Sequence, residues 1–104
     1  MSVADLTRAM TYDIRNNEET SQFETTVDGH VAYVAYEHEE PNRIVFTHTI
    51  VPDALAGRGI AASLTKHALQ HARDNDLKVV PQCAYVAKYM EKNAGEYRDL
   101  LAQR

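Results

Sequence analysis

The stretch VPDALAGRGIAASLTKHAL, residues 51–69, runs from an apolar segment through two glycines straight into a helical pattern. The chain holds only four glycines, and two of them, Gly57 and Gly59, stand where that helix should begin. Ser, Thr, Asp or Asn is the usual choice at such a place, because a side-chain oxygen there accepts from the orphan amides of the first turn. Ala56, Gly57, Gly59, Ala61 and Ala62 carry no such oxygen. The amides around them are left for an acceptor from outside the chain.

Working outward, Ile60, Leu64, Ala68 and Ala72 recur at steps of four, with Ala61, Thr65 and Leu69 beside them and Lys66, Gln70 and Arg73 turned away. That period predicts an amphipathic helix over about residues 57–74. Upstream the period is two. Residues 13–15 and 22–27 read as strands around a polar turn, and Asp28-Gly29 is a type I′ hairpin signal, because both central residues need positive φ. Residues 30–37 alternate, Glu39-Glu40-Pro41-Asn42 makes the next turn, and residues 43–51 form a third long strand with Ile44, Phe46, His48 and Ile50 on one face. Downstream, residues 77–80 make a short apolar strand stopped by Pro81, and residues 84–93 a second helix. Tyr97, Leu100 and Leu101 give the tail a small apolar face, and residues 1–12 read as a loose end or short helix. A strand–helix–strand unit places its second strand parallel to a neighbour through a right-handed crossover. The expected class is therefore α+β (mixed α/β): an antiparallel meander followed by β-α-β-α.

A length of 104 residues suits one domain with one core, here expected over residues 1–104. Eleven Lys and Arg against 15 Asp and Glu give a net charge of −4, without a basic cluster, which argues against nucleic-acid and anionic-membrane partners. The first residues lack the apolar core of a secretory signal, no apolar run approaches a membrane span, and the single Cys83 excludes an internal disulfide. A cytoplasmic protein is the expectation.

Two phosphate-binding motifs fail on the glycines. A Walker loop needs Gly-Lys-Ser/Thr, whereas Thr65-Lys66 has the wrong order and place. A dinucleotide fingerprint matches Gly57-x-Gly59-x-x-Ala62 by letter, but its acidic ribose partner belongs at the end of the next strand, where Val79-Val80-Pro81-Gln82 stands. The physics survives without the motifs. A helix N-terminus carries about half a positive charge and unpaired N–H groups. Consecutive amides of residues 55–61 make an anion-binding concavity, with Arg58 at its rim as a charge-assisted donor.

A meander feeding such a helix, followed by one parallel strand, is the layout of an acyl-CoA site. HTIVPDALAGRGIAASL, ARDNDLKVVPQCAYVAKYMEKN and EYRDLL, between His48 and Leu101, resemble the GNAT superfamily of acyltransferases, in its very small single-domain branch. The resemblance implies the minimal fold without the superfamily's N-terminal substrate helices, acetyl-CoA as the cofactor, and no metal. The superfamily's loop pattern, Arg/Gln-x-x-Gly-x-Gly/Ala, falls here on Ala56-x-x-Gly59-x-Ala61, so one side-chain contact to the phosphates is replaced by Ala56. By the same resemblance the amides from Ala56 through Gly57, Arg58, Gly59 and Ile60 to Ala61 hold the pyrophosphate. Pantetheine then lies between residues 46–51 and 77–80, where the backbone of Thr49, Ile50 and Val51 pairs with its amides and steadies the thioester oxygen.

Cys83, just past the second of these strands, matches a cysteine of the small branch and is the candidate nucleophile for an acyl-cysteine. A free thiol is only a few per cent ionised at neutral pH, so it needs a helix start or a histidine beside it; the bland alternative is that it packs. His48, in an HT pair that the resemblance also carries, is the candidate base toward Cys83 or the incoming amine, against a role as a core histidine on an apolar face. Tyr85 is expected to line the acyl-CoA slot. His67 and His71 have a metal-compatible spacing, yet no third ligand accompanies them. Two functions follow from the resemblance: N-acetyl transfer from acetyl-CoA to an unknown amine, directly or through acyl-Cys83, and an acyl-CoA-binding sensor or docking module with little turnover. A third reading keeps the glycines as mere turn formers.

Overall fold

The computed structural model describes residues 12–102. The expectation of a loose end or short helix over residues 1–12, and that of missing N-terminal substrate helices, fall outside those residues apart from Tyr12. Strands β1 (Arg15–Asn17), β2 (Gln22–Val27), β3 (His30–Glu39), β4 (Arg43–Ile50) and β5 (Lys78–Pro81) form one sheet in the order β1-β2-β3-β4-β5. The first three pairings are antiparallel and β4–β5 is parallel. Asp28 and Gly29 join β2 to β3 with φ of 50° and 78°, the left-handed pair that a type I′ hairpin demands. A parallel pair cannot be closed by a hairpin, so the chain crosses over through helix α1 (Ile60–Asp74) before β5. Helices α2 (Ala84–Lys92) and α3 (Ala94–Tyr97) follow.

Period-two alternation puts Phe23, Val34, Tyr36, Ile44, Phe46 and Val79 on one buried face of the sheet. Against it α1 packs Ile60, Leu64, Ala68, Leu69 and Ala72, and α2 packs Val86 and Met90, with Tyr97 and Leu100 closing the core. The opposite face stays open, with Val31 and Ile50 exposed. The free edge of β5 is covered by the tail: Leu101 bridges Val79, and the Ala102 N–H donates to the Val79 carbonyl at 2.9 Å. Pairing of that kind removes an exposed strand edge. No helix among the described residues is long and apolar enough to cross a membrane.

The structure departs from simple alternation in β4. Ala35 pairs with His48 but Tyr36 pairs with Phe46, so Thr47 is an extra residue on β4, a β-bulge. The Thr47 hydroxyl donates to the Ala35 carbonyl at 3.3 Å and pins the irregularity. One inserted residue reverses the faces of everything after it. Phe46 is buried, Thr49 continues on the buried side opposite Val34, and His48 and Ile50 turn to the open face. The expectation of Ile44, Phe46, His48 and Ile50 on one face is corrected accordingly. Smaller shifts have local causes. β1 starts two residues late, with its residues registered to β2. Pro81 belongs to β5 as its last residue, paired with Phe46, where a missing N–H at a strand end costs no ladder bond.

His67 and His71 project from α1 onto the Phe23 ring, at centroid distances of 5.7 and 5.1 Å. Burial lowers the His71 pKa below the ordinary 6.5, and the neighbouring His38 and His67 push it the same way, against Glu18 and Asp74. The unfolded chain therefore takes up this proton at a higher pH than the folded one does. Stability is full above about pH 7 and is lost as pH falls through 6.5 toward the lower folded value. Thermal unfolding followed between pH 8 and pH 5 is expected to show a falling Tm, and His71→Phe is expected to flatten that fall.

Candidate functional site

Gly59 caps α1 at φ 72° and ψ 16°, and no side chain hydrogen-bonds the helix start. Gly57 has φ 78°. A Cβ at either position would meet nothing within 4 Å, so these glycines serve the left-handed backbone and not a tight contact. Ahead of them residues Asp53–Leu55 form a 3₁₀ turn, in which the Leu55 N–H donates to the Pro52 carbonyl at 2.8 Å and the Ala56 N–H to the Asp53 carbonyl at 3.1 Å. Those two amides are consumed, which shortens the expected row and withdraws the Ala56 N–H from ligand binding. After them the Ser63 N–H resumes the helical ladder on the Gly59 carbonyl at 3.1 Å. In between, among the described residues, the N–H groups of residues 57–62 have no acceptor from the chain.

These groups border a cavity of about 290 Å³ walled by Val51, Leu55 and Tyr85 and floored by residues 56–62. Burial, with Tyr89 adding to it, pushes the Tyr85 phenol above its usual range, so it stays neutral and able to donate at physiological pH. Arg58 behaves differently from expectation. Its guanidinium donates to the Asp28 carboxylate in the β2–β3 turn at 2.8 Å, and its carbonyl accepts from the Tyr12 phenol at 2.5 Å. The side chain expected at the phosphate rim is thus already paired.

Beside the cavity the sheet opens. Pairing of β4 with β5 ends at Phe46–Pro81, and the Cys83 N–H closes it with a 2.8 Å bond to the Phe46 carbonyl. Beyond that point Thr49 and Ile50 have β3 on one side, while their other edge faces a gap. Cys83 caps α2 from within, 7% exposed, and its sulfur lies 3.3 Å from the Thr49 hydroxyl. The structure brings Cys83 to Thr49, not to His48. The His48 ring stands on the open face, edge-on to Tyr33 at 6.0 Å, with Nδ1 3.2 Å from the Thr47 hydroxyl. Strand neighbours point to opposite faces, so thiol and imidazole are on opposite sides of β4.

The sequence-predicted residues therefore divide into three groups. Ala56, Gly57, Arg58, Gly59, Ile60, Ala61, Val51 and Tyr85 gather at the cavity, Thr49 and Cys83 meet where the strands part, and His48 with Ile50 lies across the sheet. Sequence reasoning counted Leu55 for its amide but missed its side chain in the wall, and it missed Ala62 in the lining, the Thr49 hydroxyl as partner of Cys83, and Asp28 as partner of Arg58. An apolar residue at position 55, four before the capping glycine, was the one available signal for the first.

Because the space around Gly59 is open, its replacement by Ala is a purely conformational change. Gly59→Ala is expected to lower stability by about 1–2 kcal/mol, the cost of a left-handed L-residue, as read from urea unfolding.

The family model for GCN5-related N-acetyltransferases matches residues 22–100. Protein NATD1 from Xenopus tropicalis is 34% identical over 82 residues, spanning 77% of this chain and 75% of that protein. Its mouse counterpart is 35% identical over 77% of this chain and 74% of its own. The solution NMR structure of a GCN5-like N-acetyltransferase candidate from Staphylococcus aureus superposes with a TM-score of 0.67 at 30% identity, covering 90% of this chain and 91% of that one. Fold and family model thus agree: the chain belongs to the GCN5-related N-acetyltransferase (GNAT) family, whose members generally use acetyl-CoA.

Proposed function

We propose that this protein transfers an acetyl group from acetyl-CoA to an amine. The observation that carries this reading is the run of six acceptor-free amides, residues 57–62, set beside the point where β4 and β5 part. A pyrophosphate offers several anionic oxygens to donors at a helix N-terminus, where the macrodipole adds its own positive potential. Small residues let it approach the backbone, and Tyr85 supplies a phenol beside it. From there pantetheine runs into the gap and pairs with the free edge of Thr49, Ile50 and Val51. An N–H on that edge holds the thioester oxygen as negative charge develops on it.

Two routes use the same geometry. In direct attack the amine nitrogen bonds to the thioester carbon, the C–S bond breaks, and the coenzyme thiolate leaves and takes up the proton that nitrogen sheds. In the covalent route Cys83 Sγ attacks first, giving S-acetyl-Cys83 and free coenzyme thiol, and the amine then displaces Cys83. The Thr49 hydroxyl, 3.3 Å away, orients the sulfur in that route. In this reading His48, on the open face, relays a proton from an amine that arrives there, and not from Cys83. A second reading, an acyl-CoA-binding module with little turnover, is favoured by the burial of Cys83 and by the Ala56 N–H being consumed internally.

A ligand at 100 times its Kd stabilises a protein by about 2.7 kcal/mol. Acetyl-CoA is accordingly expected to raise Tm clearly, and no rise at millimolar coenzyme contradicts acyl-CoA binding altogether. Mass spectrometry after incubation with acetyl-CoA reads acetylation of Cys83 directly. In the covalent route Cys83→Ala abolishes turnover of an amine panel; full retention leaves direct attack, and no turnover by the wild type leaves the binding module.

A further inference from the structure

Between the buried side chains of Leu55 and Ile60, the exposed residues 56–59 have little of their own to hold them in place. Gly57 and Gly59 have no Cβ, nothing lies within 4 Å of where one would be, and the backbone N–H groups of residues 57–62 donate no hydrogen bond within the chain among the described residues. Both tethers act at Arg58, and both come from elsewhere. Tyr12 donates to its carbonyl, and Asp28, thirty residues earlier, binds its guanidinium at 2.8 Å. Asp28 sits at φ 50° in the two-residue turn between β2 and β3, a tight hairpin connection that sets its backbone position relative to the loop.

We propose that Asp28 is a positioning residue for the anion cradle, its ion pair with Arg58 holding the glycine-flanked loop in the shape that presents the amides of residues 57–62. This rests on the reading of that loop as the coenzyme phosphate site. The competing effect is that Asp28 withholds Arg58 from the phosphates and adds negative charge near them. Positioning prevails because two glycines give the untethered loop much conformational freedom, whereas the amides, not one exposed guanidinium, make most of the contacts. The pair is partly exposed, 44% at Arg58 and 67% at Asp28, so its effect is modest and weakened by salt.

The test uses the full chain with Asp28→Gly, which removes the carboxylate while suiting the left-handed turn, and with Asp28→Asn, which keeps an acceptor but no charge. Backbone order parameters from ¹⁵N relaxation of the ligand-free protein are expected to fall over residues 57–59 in Asp28→Gly and less in Asp28→Asn, because the glycine-flanked backbone loses a tether. Order in the second half of α1 should stay unchanged. In 1 M NaCl the wild-type loop should approach the variant, which a loss of packing would not produce. Coenzyme A affinity, measured by calorimetry, should fall about two- to fivefold, from the range measured for exposed ion pairs. Equal loop order in wild type and Asp28→Gly overturns the proposal, as does tighter coenzyme binding by the variant. Should the wild type bind no coenzyme A, the phosphate-site reading fails by itself, and the relaxation comparison still decides whether Asp28 holds the loop.

Discussion

Six consecutive backbone N–H groups without an acceptor among the described residues, at the positive end of a fifteen-residue helix, are the constraint around which this protein is arranged. Buried or not, such donors are satisfied in folded proteins by chain, water or ligand. Here the local sequence withholds every chain solution: no hydroxyl or carboxylate stands at the cap, two glycines turn the backbone left-handed, and the preceding 3₁₀ turn stops at Ala56. The topology then delivers the helix start to one place. The parallel β4–β5 pair requires a crossover, α1 is that crossover, and its first turn lies where the two strands cease to pair.

The bulge at Thr47 is the second device. By adding one residue to β4 it ends regular alternation and directs Thr49 and His48 to different sides of the sheet. One side holds the cavity at the helix start, Thr49 and Cys83; the other is open and carries Tyr33, His48 and Ile50. The same division separates the thiol from the imidazole. A nucleophile–base couple of Cys83 and His48 has no support in this geometry, and the partner Cys83 does have is a hydroxyl.

What the sequence disclosed and what it hid follow from the range of the interactions concerned. Local periodicities carried most of the fold: the steps of four from Ile60 to Ala72, the Asp28-Gly29 turn, and the apolar strand before Pro81 all appear where their patterns place them. The missing caps ahead of Ile60 pointed to the acceptor-free amides, because a cap is a property of a few neighbouring residues. The bulge was not legible, since Thr47 differs in no way from any other strand threonine and the register is set by pairing with Ala35 and Tyr36. Nor were the two tethers on Arg58, whose partners lie 30 and 46 residues away in sequence. The internal use of the Leu55 and Ala56 amides depends on a single 3₁₀ turn, whose residues Asp-Ala-Leu suit a helix just as well.

The central claim is that the unpaired amides bind the coenzyme's phosphates. A titration of ¹⁵N-labelled protein with coenzyme A, observed amide by amide and repeated with pantetheine, tests it most directly. The account predicts saturable shifts concentrated on the N–H signals of residues 57–62 with coenzyme A, and far smaller ones there with the phosphate-free pantetheine. Unmoved signals in that stretch, or identical responses to the two compounds, contradict it.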